Sequence, residues 1–390
     1  MGPLHGLRVI ELASIGPGPM CAMLLADLGA DVVRIDRLEA SGLGVPVSSR
    51  FDVPGRSRRS IALDLKSDAG VDAARRLISA ADVLIEGWRP GVAERLGLGP
   101  EDCHARHPGL VYGRMTGYGQ HGPLAQRAGH DINYIALTGA LSAIGGAGEG
   151  EGDGPVPPLN LVGDYGGGAL YLAVGVLAAL FERQRSGRGQ VVDAAMVDGV
   201  GSLMSLFHGL AAGGLWDERQ RAANLLDGGA PFYATYQAAD GGWLALGALE
   251  PKFFATFADL VGLERRFVER QYDRRLWPEM REAIAAALRR RTRDDWAAAA
   301  QDGDACLTPV LSMSEAVQHP QARQRQSFVE VDGVHQPAPA PRFGRSRPAS
   351  PRPAPRMGQH TRELLSEAGY SDVEIDTLLS SGAAKQTMAP

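Results

Sequence analysis

Only three cysteines occur in 390 residues, Cys21, Cys103 and Cys306, and none stands at metal-type spacing from another. So sparse a set builds no disulfide framework and no thiolate metal site, and it points to a reducing compartment. Net charge is scarce as well: 45 acidic against 40 basic side chains leave −5. No global field draws such a chain to nucleic acid or to a membrane surface. No apolar run reaches membrane-spanning length in the sequence. The nearest, Ala169 to Phe181, stops at Glu182-Arg183. Met1 to Gly6 lacks the basic region and apolar core of a signal peptide, and the expected location is cytoplasmic. No internal repeat is present.

The chain does have enough apolar material for a sizeable core, with 44% hydrophobic and 22% charged residues. Its length allows two domains, or one large domain with an insertion. Leu7 to Leu12 reads as a buried strand, Met20 to Leu28 as a helix ended by Gly29, and Asp31 to Ile35 as the next strand. The alternation continues with a helix over Ala69 to Ser79 and strands at Val83 to Ile85 and Leu110 to Tyr112. Strands alternating with helices predict an α/β fold with a parallel sheet. A long helix is expected over Ala169 to Gln184 and another over Ala194 to Leu215. The texture then changes. Phe232 to Gln237 and Trp243 to Gly247 flank Ala239-Asp240-Gly241-Gly242, a hairpin signal, and helices follow at Pro251 to Val261 and Leu276 to Arg291. Residues 1–198, completed by 333–390, are expected to form a large domain, and 199–332 a smaller α+β domain. Trp243 and Phe253-Phe254 are expected in the smaller core. The glycine-rich stretch 145–154 is expected to be a loop.

Gly16-Pro17-Gly18-Pro19-Met20-Cys21 follows the first strand, where a dinucleotide site is usual. Cys21 replaces the third glycine, and two prolines remove N–H groups that a pyrophosphate needs. A rigid turn is the expectation. Arg50, Arg56, Arg58 and Arg59 cluster within ten residues, with Arg34, Arg37 and Lys66 nearby. Forked arginine donors suit a ligand with several phosphates, and the cluster is expected to bind an anion. Glu86-Gly87-Trp88-Arg89-Pro90-Gly91 leaves a strand at the edge where ligands of parallel sheets sit, and Arg89 adds charge.

Two further runs carry the chemistry: Gly129-His130-Asp131-Ile132-Asn133-Tyr134 and Gly163-Asp164-Tyr165-Gly166-Gly167-Gly168. An imidazole beside a carboxylate, with a second carboxylate before three glycines, provides two proton carriers for one cleft. On the residues alone, Asp164 reads first as a cap for the helix after Gly168. Glu250, just before Pro251, reads equally as a charge at a helix start.

Taken together, these residues resemble the α-methylacyl-CoA racemases of the family III CoA-transferase superfamily. The resemblance is carried by Gly6 to Leu12, Ala30 to Asp36, Asp64-Leu65-Lys66, Arg89 to Val92, Thr116 to Gln120, the Gly129 to Tyr134 run and Gly187 to Asp193, in family order. It implies a Rossmann-like large domain without a nicotinamide site, a smaller inserted domain, and an interlocked homodimer. The implied substrate is an acyl-CoA thioester, with no metal and no separate cofactor, CoA being part of the substrate. CoA contact is carried over to Arg37, Leu63, Asp64, Leu65, Gly87, Trp88, Arg89 and Arg95. The backbone from Gly129 through Ile132 and Asn133 to Tyr134 is expected to line the thioester. His130 and Asp164 fall on the two catalytic bases, and Glu250 on an acidic residue that the partner chain brings to the histidine. The implied reaction interconverts (2R)- and (2S)-2-methylacyl-CoA through an enolate. The alternative within the superfamily is CoA transfer between carboxylic acids through an anhydride on Asp131.

Overall fold

The protein is described here from a computed structural model, which covers residues 1–39, 41–146 and 154–387. Most of the expected glycine-rich loop, 147–153, lies outside the described residues. The chain divides into two compact units. One comprises 1–138, 159–203 and 323–390, the other 139–158 and 204–322. Segment 139–158, expected in the large domain, therefore belongs to the second unit, and 323–332 to the first.

The first unit begins β1 (Arg8–Leu12), α1 (Pro17–Asp27), β2 (Asp31–Asp36), β3 (Arg59–Leu63), α2 (Asp68–Ser79), β4 (Val83–Glu86), α3 (Val92–Arg95), α4 (Pro100–Arg106), β5 (Val111–Thr116) and α5 (Asp131–Ala136). A short α6 (Ala140–Ala143) opens the second unit. The first resumes with α7 (Tyr171–Ser186), β6 (Val191–Ala195) and α8 (Met196–Leu203). Strands β1 to β6 are parallel in the order β3-β2-β1-β4-β5-β6. The strand order reverses between β1 and β4, which opens a crevice at their carboxyl ends.

Period-two alternation sends consecutive residues to opposite faces. Val9, Val32, Val83 and Ile85 pack with α1 and α7, whereas Ile10, Val33, Ile35 and Leu84 pack with α2 and the C-terminal helices Thr361–Glu367 and Asp372–Ser380. Strands β3 and β6 have no counterpart in the sequence reading. The first is masked by the arginines at and just before its start. The second is an edge whose outer residues, such as Val191, stay exposed.

A π-helical stretch, Leu161–Leu170, runs straight into α7, so the helix starts at Leu161 rather than at the expected Ala169 and spans 26 residues. By length and composition it could cross a membrane, which corrects the sequence reading. One of its faces is core: Ala169, Leu172, Ala173, Val176, Ala179 and Leu180 are buried among sheet residues. Gly187 ends it at φ 71°, the left-handed conformation that glycine adopts without Cβ strain.

The second unit carries α9 (Ser205–Ala212) and the antiparallel sheet β7 (Tyr233–Gln237), β8 (Trp243–Gly247) and β9 (Leu307–Pro309). Helix α10 (Pro251–Val261) contributes Phe254 and Phe257 to its core. Trp243 is not in that core. It is 48% exposed, because Leu244 beside it takes the inward face of β8.

Candidate active site

Every parallel strand ends at the same edge, so the loops after β1, β2, β3, β4 and β5 share one rim. At the reversal point, Trp88 donates its indole N–H to the Ala13 carbonyl at 3.1 Å, tying the loop after β4 to the loop after β1. A Cβ on Gly87 would lie 2.9 Å from Ser14 Oγ, so only glycine lets the loops approach this closely.

The basic residues of the first strands and their loops fall into two groups. Arg58 is fully buried with Nε 3.0 Å from Glu11 Oε2, and it also bonds the Pro19 carbonyl. Arg56 donates from Nε to Asp27 Oδ1 at 3.0 Å and from Nη1 to the Pro337 carbonyl at 2.7 Å. Arg59 is shared among Asp31, Glu363 and Glu367, Arg34 pairs with Asp36, and Arg50 donates to the Asp332 carbonyl. The expected anion site at Arg50, Arg56, Arg58 and Arg59 is therefore corrected. Strand β3 passes beside acidic side chains, and a buried guanidinium requires such partners. Arg37, Lys66, Arg89 and Arg95 are exposed, and among the described residues their side chains form no hydrogen bond or ion pair. Three of these are residues the family resemblance marks.

The remaining CoA candidates differ in what they offer. Leu63 is 1% exposed and Leu65 packs against the core, so each presents only backbone to the rim. Asp64 turns its carboxylate back onto the Lys66 N–H at 3.0 Å.

The loop from Gly129 is clamped by aromatic packing. The Tyr134 hydroxyl bonds the Gly129 carbonyl, and the Tyr134 ring meets Tyr118 edge-on at 4.9 Å. Burial pushes the Tyr134 hydroxyl up to about 12. Its side chain is thus an anchor and not a lining group. Asn133 is committed too, its Oδ1 accepting the His130 N–H at 3.0 Å while its own N–H donates to the His130 carbonyl at 2.8 Å. Among the described residues, nothing accepts from the N–H groups of Asp131 and Ile132 at the start of α5.

Because His130 is the extended residue before α5 and Asp131 its first helical residue, the two side chains part. His130 is exposed, while Asp131 is 8% exposed. Asp131 Oδ1 accepts the Asp164 N–H at 2.7 Å, which joins the two motifs. Asp164 stands inside the π-helical stretch and caps nothing. A π turn of this kind is frequent at functional sites. Burial pushes the Asp164 carboxyl above the usual carboxylate range. The Asn160 amide, donating to Oδ2 at 3.1 Å, opposes this, the Asp131 charge adds to it, and the nearby His130 opposes it. Asn160, four residues upstream, escaped the sequence reading, although i,i+4 spacing on a helix is a legible signal. Glu250 precedes α10 in the second unit, exposed, its carboxylate without a hydrogen bond among the described residues.

Gly16 adds a constraint on Asp164. It holds φ 70° and ψ −117°, and a Cβ there would sit 2.9 Å from Asp164 Oδ2. Gly16→Ala should displace the carboxylate and cost about 10²-fold in turnover, as misplacement by about 1 Å does elsewhere. Steady-state kinetics beside a melting curve would separate this from unfolding.

The sequence profile of CoA-transferase family III matches residues 4–361. The chain belongs to that family. Two curated members are similar to it over nearly their whole length, both called alpha-methylacyl-CoA racemase. That of Mus musculus is 46% identical, covering 95% of this chain and 95% of its own. That of Homo sapiens is 43% identical, covering 99% and 100%. Among solved structures, a CAIB/BAIF family protein from Brucella suis superposes with a TM-score of 0.78 at 26% identity, over 94% of this chain and 99% of its own. The rim loops and both carboxylate motifs of this family III member lie inside the matched region.

The raised Asp164 pKa has a consequence for stability. A carboxyl that ionises less readily when folded contributes stability below its unfolded pKa, and loses it as pH rises through the raised native value. The Asp164→Asn protein should therefore melt above the wild type at pH 7 and match it at pH 3, as thermal melts across that range will read.

Proposed function

We propose that this family III member is an α-methylacyl-CoA racemase, interconverting the 2R and 2S thioesters with His130 and Asp164 as its two bases. The observation that carries this is the Asp131 bridge. It brings Asp164 to the start of α5, where His130 is exposed. The high identity to two racemases supports the same reading.

Arg37, Arg89 and Arg95 hold the CoA phosphates at the rim, and the thioester carbonyl lies against the free N–H groups of Asp131 and Ile132. One base removes the α-proton. The C–H electrons become the enolate, whose negative charge rests on the thioester oxygen facing those N–H groups. The other group, protonated beforehand, returns a proton to the opposite face of the α-carbon. Roles exchange in the reverse direction, and no second substrate enters. Glu250 of a second copy pairs with His130 in the homodimer. Two features support such a dimer. On α7 and the turn before it, Leu161, Leu170, Val174 and Phe181 are each at least half exposed, and α9 buries none of its residues.

Incubating the protein with one 2-methylacyl-CoA epimer in deuterated water tests the reaction. Deuterium at the α-carbon without added acid is the expected result. A strict need for a second carboxylic acid, with no exchange, would instead establish CoA transfer. The burial of Asp131 argues against its use as a nucleophile. Of the two aspartates, Asp164 is the more open.

A further inference from the structure

Beneath the rim lies an ion triad that the reaction itself does not use. Glu86, the last residue of β4, is fully buried, and its Oε2 accepts the Trp88 N–H at 2.7 Å. Its Oε1 accepts from Arg114 Nε at 2.9 Å. The same guanidinium reaches Glu94 on α3, with Nη1 2.8 Å from Oε1. Arg114 itself lies on β5 and is 7% exposed.

We propose that Arg114 is a positioning residue for the CoA moiety. By bonding Glu86 and Glu94 at once, it fixes the Gly87–Arg89 loop and helix α3 in one arrangement, so that Arg89 and Arg95 meet the nucleotide phosphates together. This rests on the acyl-CoA reading of the same rim. The physical reason lies in the chain itself. Arg89 sits on a loop and Arg95 ends a helix of four residues, and among the described residues neither side chain has a bond to hold it. Two mobile cations bind a multiply charged ligand weakly, because ordering each long side chain costs entropy on binding. The triad removes part of that cost by fixing the two backbones beforehand. Arginine is required for this because one planar fork bonds two carboxylates at once, which an ammonium on a flexible stem does poorly.

Removing Arg114 would leave Glu86 buried without its cation, so the informative variants are at Glu94, whose side chain is 43% exposed. Titration calorimetry with CoA, which needs no turnover, reads the effect directly. Glu94→Ala should weaken CoA about ten-fold, equivalent to about 1.4 kcal/mol. Glu94→Gln, which keeps an oxygen for Arg114, should restore most of that affinity. In turnover, KM for the acyl-CoA should rise in step while kcat holds, and KM for the matching acyl-pantetheine, which has no nucleotide, should stay at the wild-type value. Wild-type CoA affinity in Glu94→Ala, or equal losses for acyl-CoA and acyl-pantetheine, would overturn the proposal. A wild-type protein that binds CoA without racemising would reject the proposed reaction and leave this measurement standing.

Discussion

His130→Ala and Asp164→Ala should each reduce epimer interconversion by about 10²–10⁴-fold, the range over which a positioned acid or base contributes. Each variant loses one of the two groups, and interconversion needs both. A protein with one base still removes a proton from the epimer that faces it, so a selective residue of α-exchange is expected from one substrate epimer and not from the other. The epimer whose exchange survives in His130→Ala identifies the substrate of Asp164. For that epimer, kcat/KM should fall on the acid side at a pH above the ordinary carboxylate range, since burial raises Asp164. Asp131→Ala should weaken the reaction less completely, because it removes the acceptor for the Asp164 N–H and leaves both bases in place. Racemisation at the wild-type rate in His130→Ala, measured by chiral separation of the product acids, would remove the assignment.

The second large effect is expected in stability. Arg58→Met should destabilise the protein by about 3–5 kcal/mol, because Glu11 would be left buried without its cation. That is a large part of the ~5–15 kcal/mol that holds a typical fold together. Arg89→Ala removes an exposed side chain with no hydrogen bond or ion pair among the described residues, and its effect on folding should stay within about 0.5 kcal/mol. CoA affinity should respond in the opposite way, falling in Arg89→Ala. Urea denaturation and CoA titration on the two variants settle which arginines hold the fold and which await a ligand. An Arg58→Met protein of unchanged stability that has lost CoA binding would reverse the division drawn here.

The arginines also mark the limit of what sequence reading reaches. Four of them within ten residues look like one basic patch, because local density is all that a sequence displays. Their partners Asp27, Asp31, Glu363 and Glu367 lie 28 or more positions away, and only the sheet and the C-terminal helices bring them together. For Arg37, Arg89 and Arg95 no partner arrives among the described residues, and the resemblance to family III had already singled them out. The long helix shows the same limit. Its apolar composition was legible up to Phe181, yet the π-helical turns that carry Asp164 and lengthen it to 26 residues depend on glycines packed closely against α8 and α1.

By itself, the amino-acid order determined the alternation of strands and helices, the hairpin of the second unit and the two motifs that carry the candidate bases. Each of these rests on periodicity or on residue type within a few positions. What the tertiary structure alone decided is the division of labour: Asp131 inward and Asp164 more open, Trp243 outward and Leu244 inward, Arg58 paired and Arg89 unpaired. The physical reason is that burial and pairing are set by distant segments, and the energy of a charge depends on the groups that surround it in space.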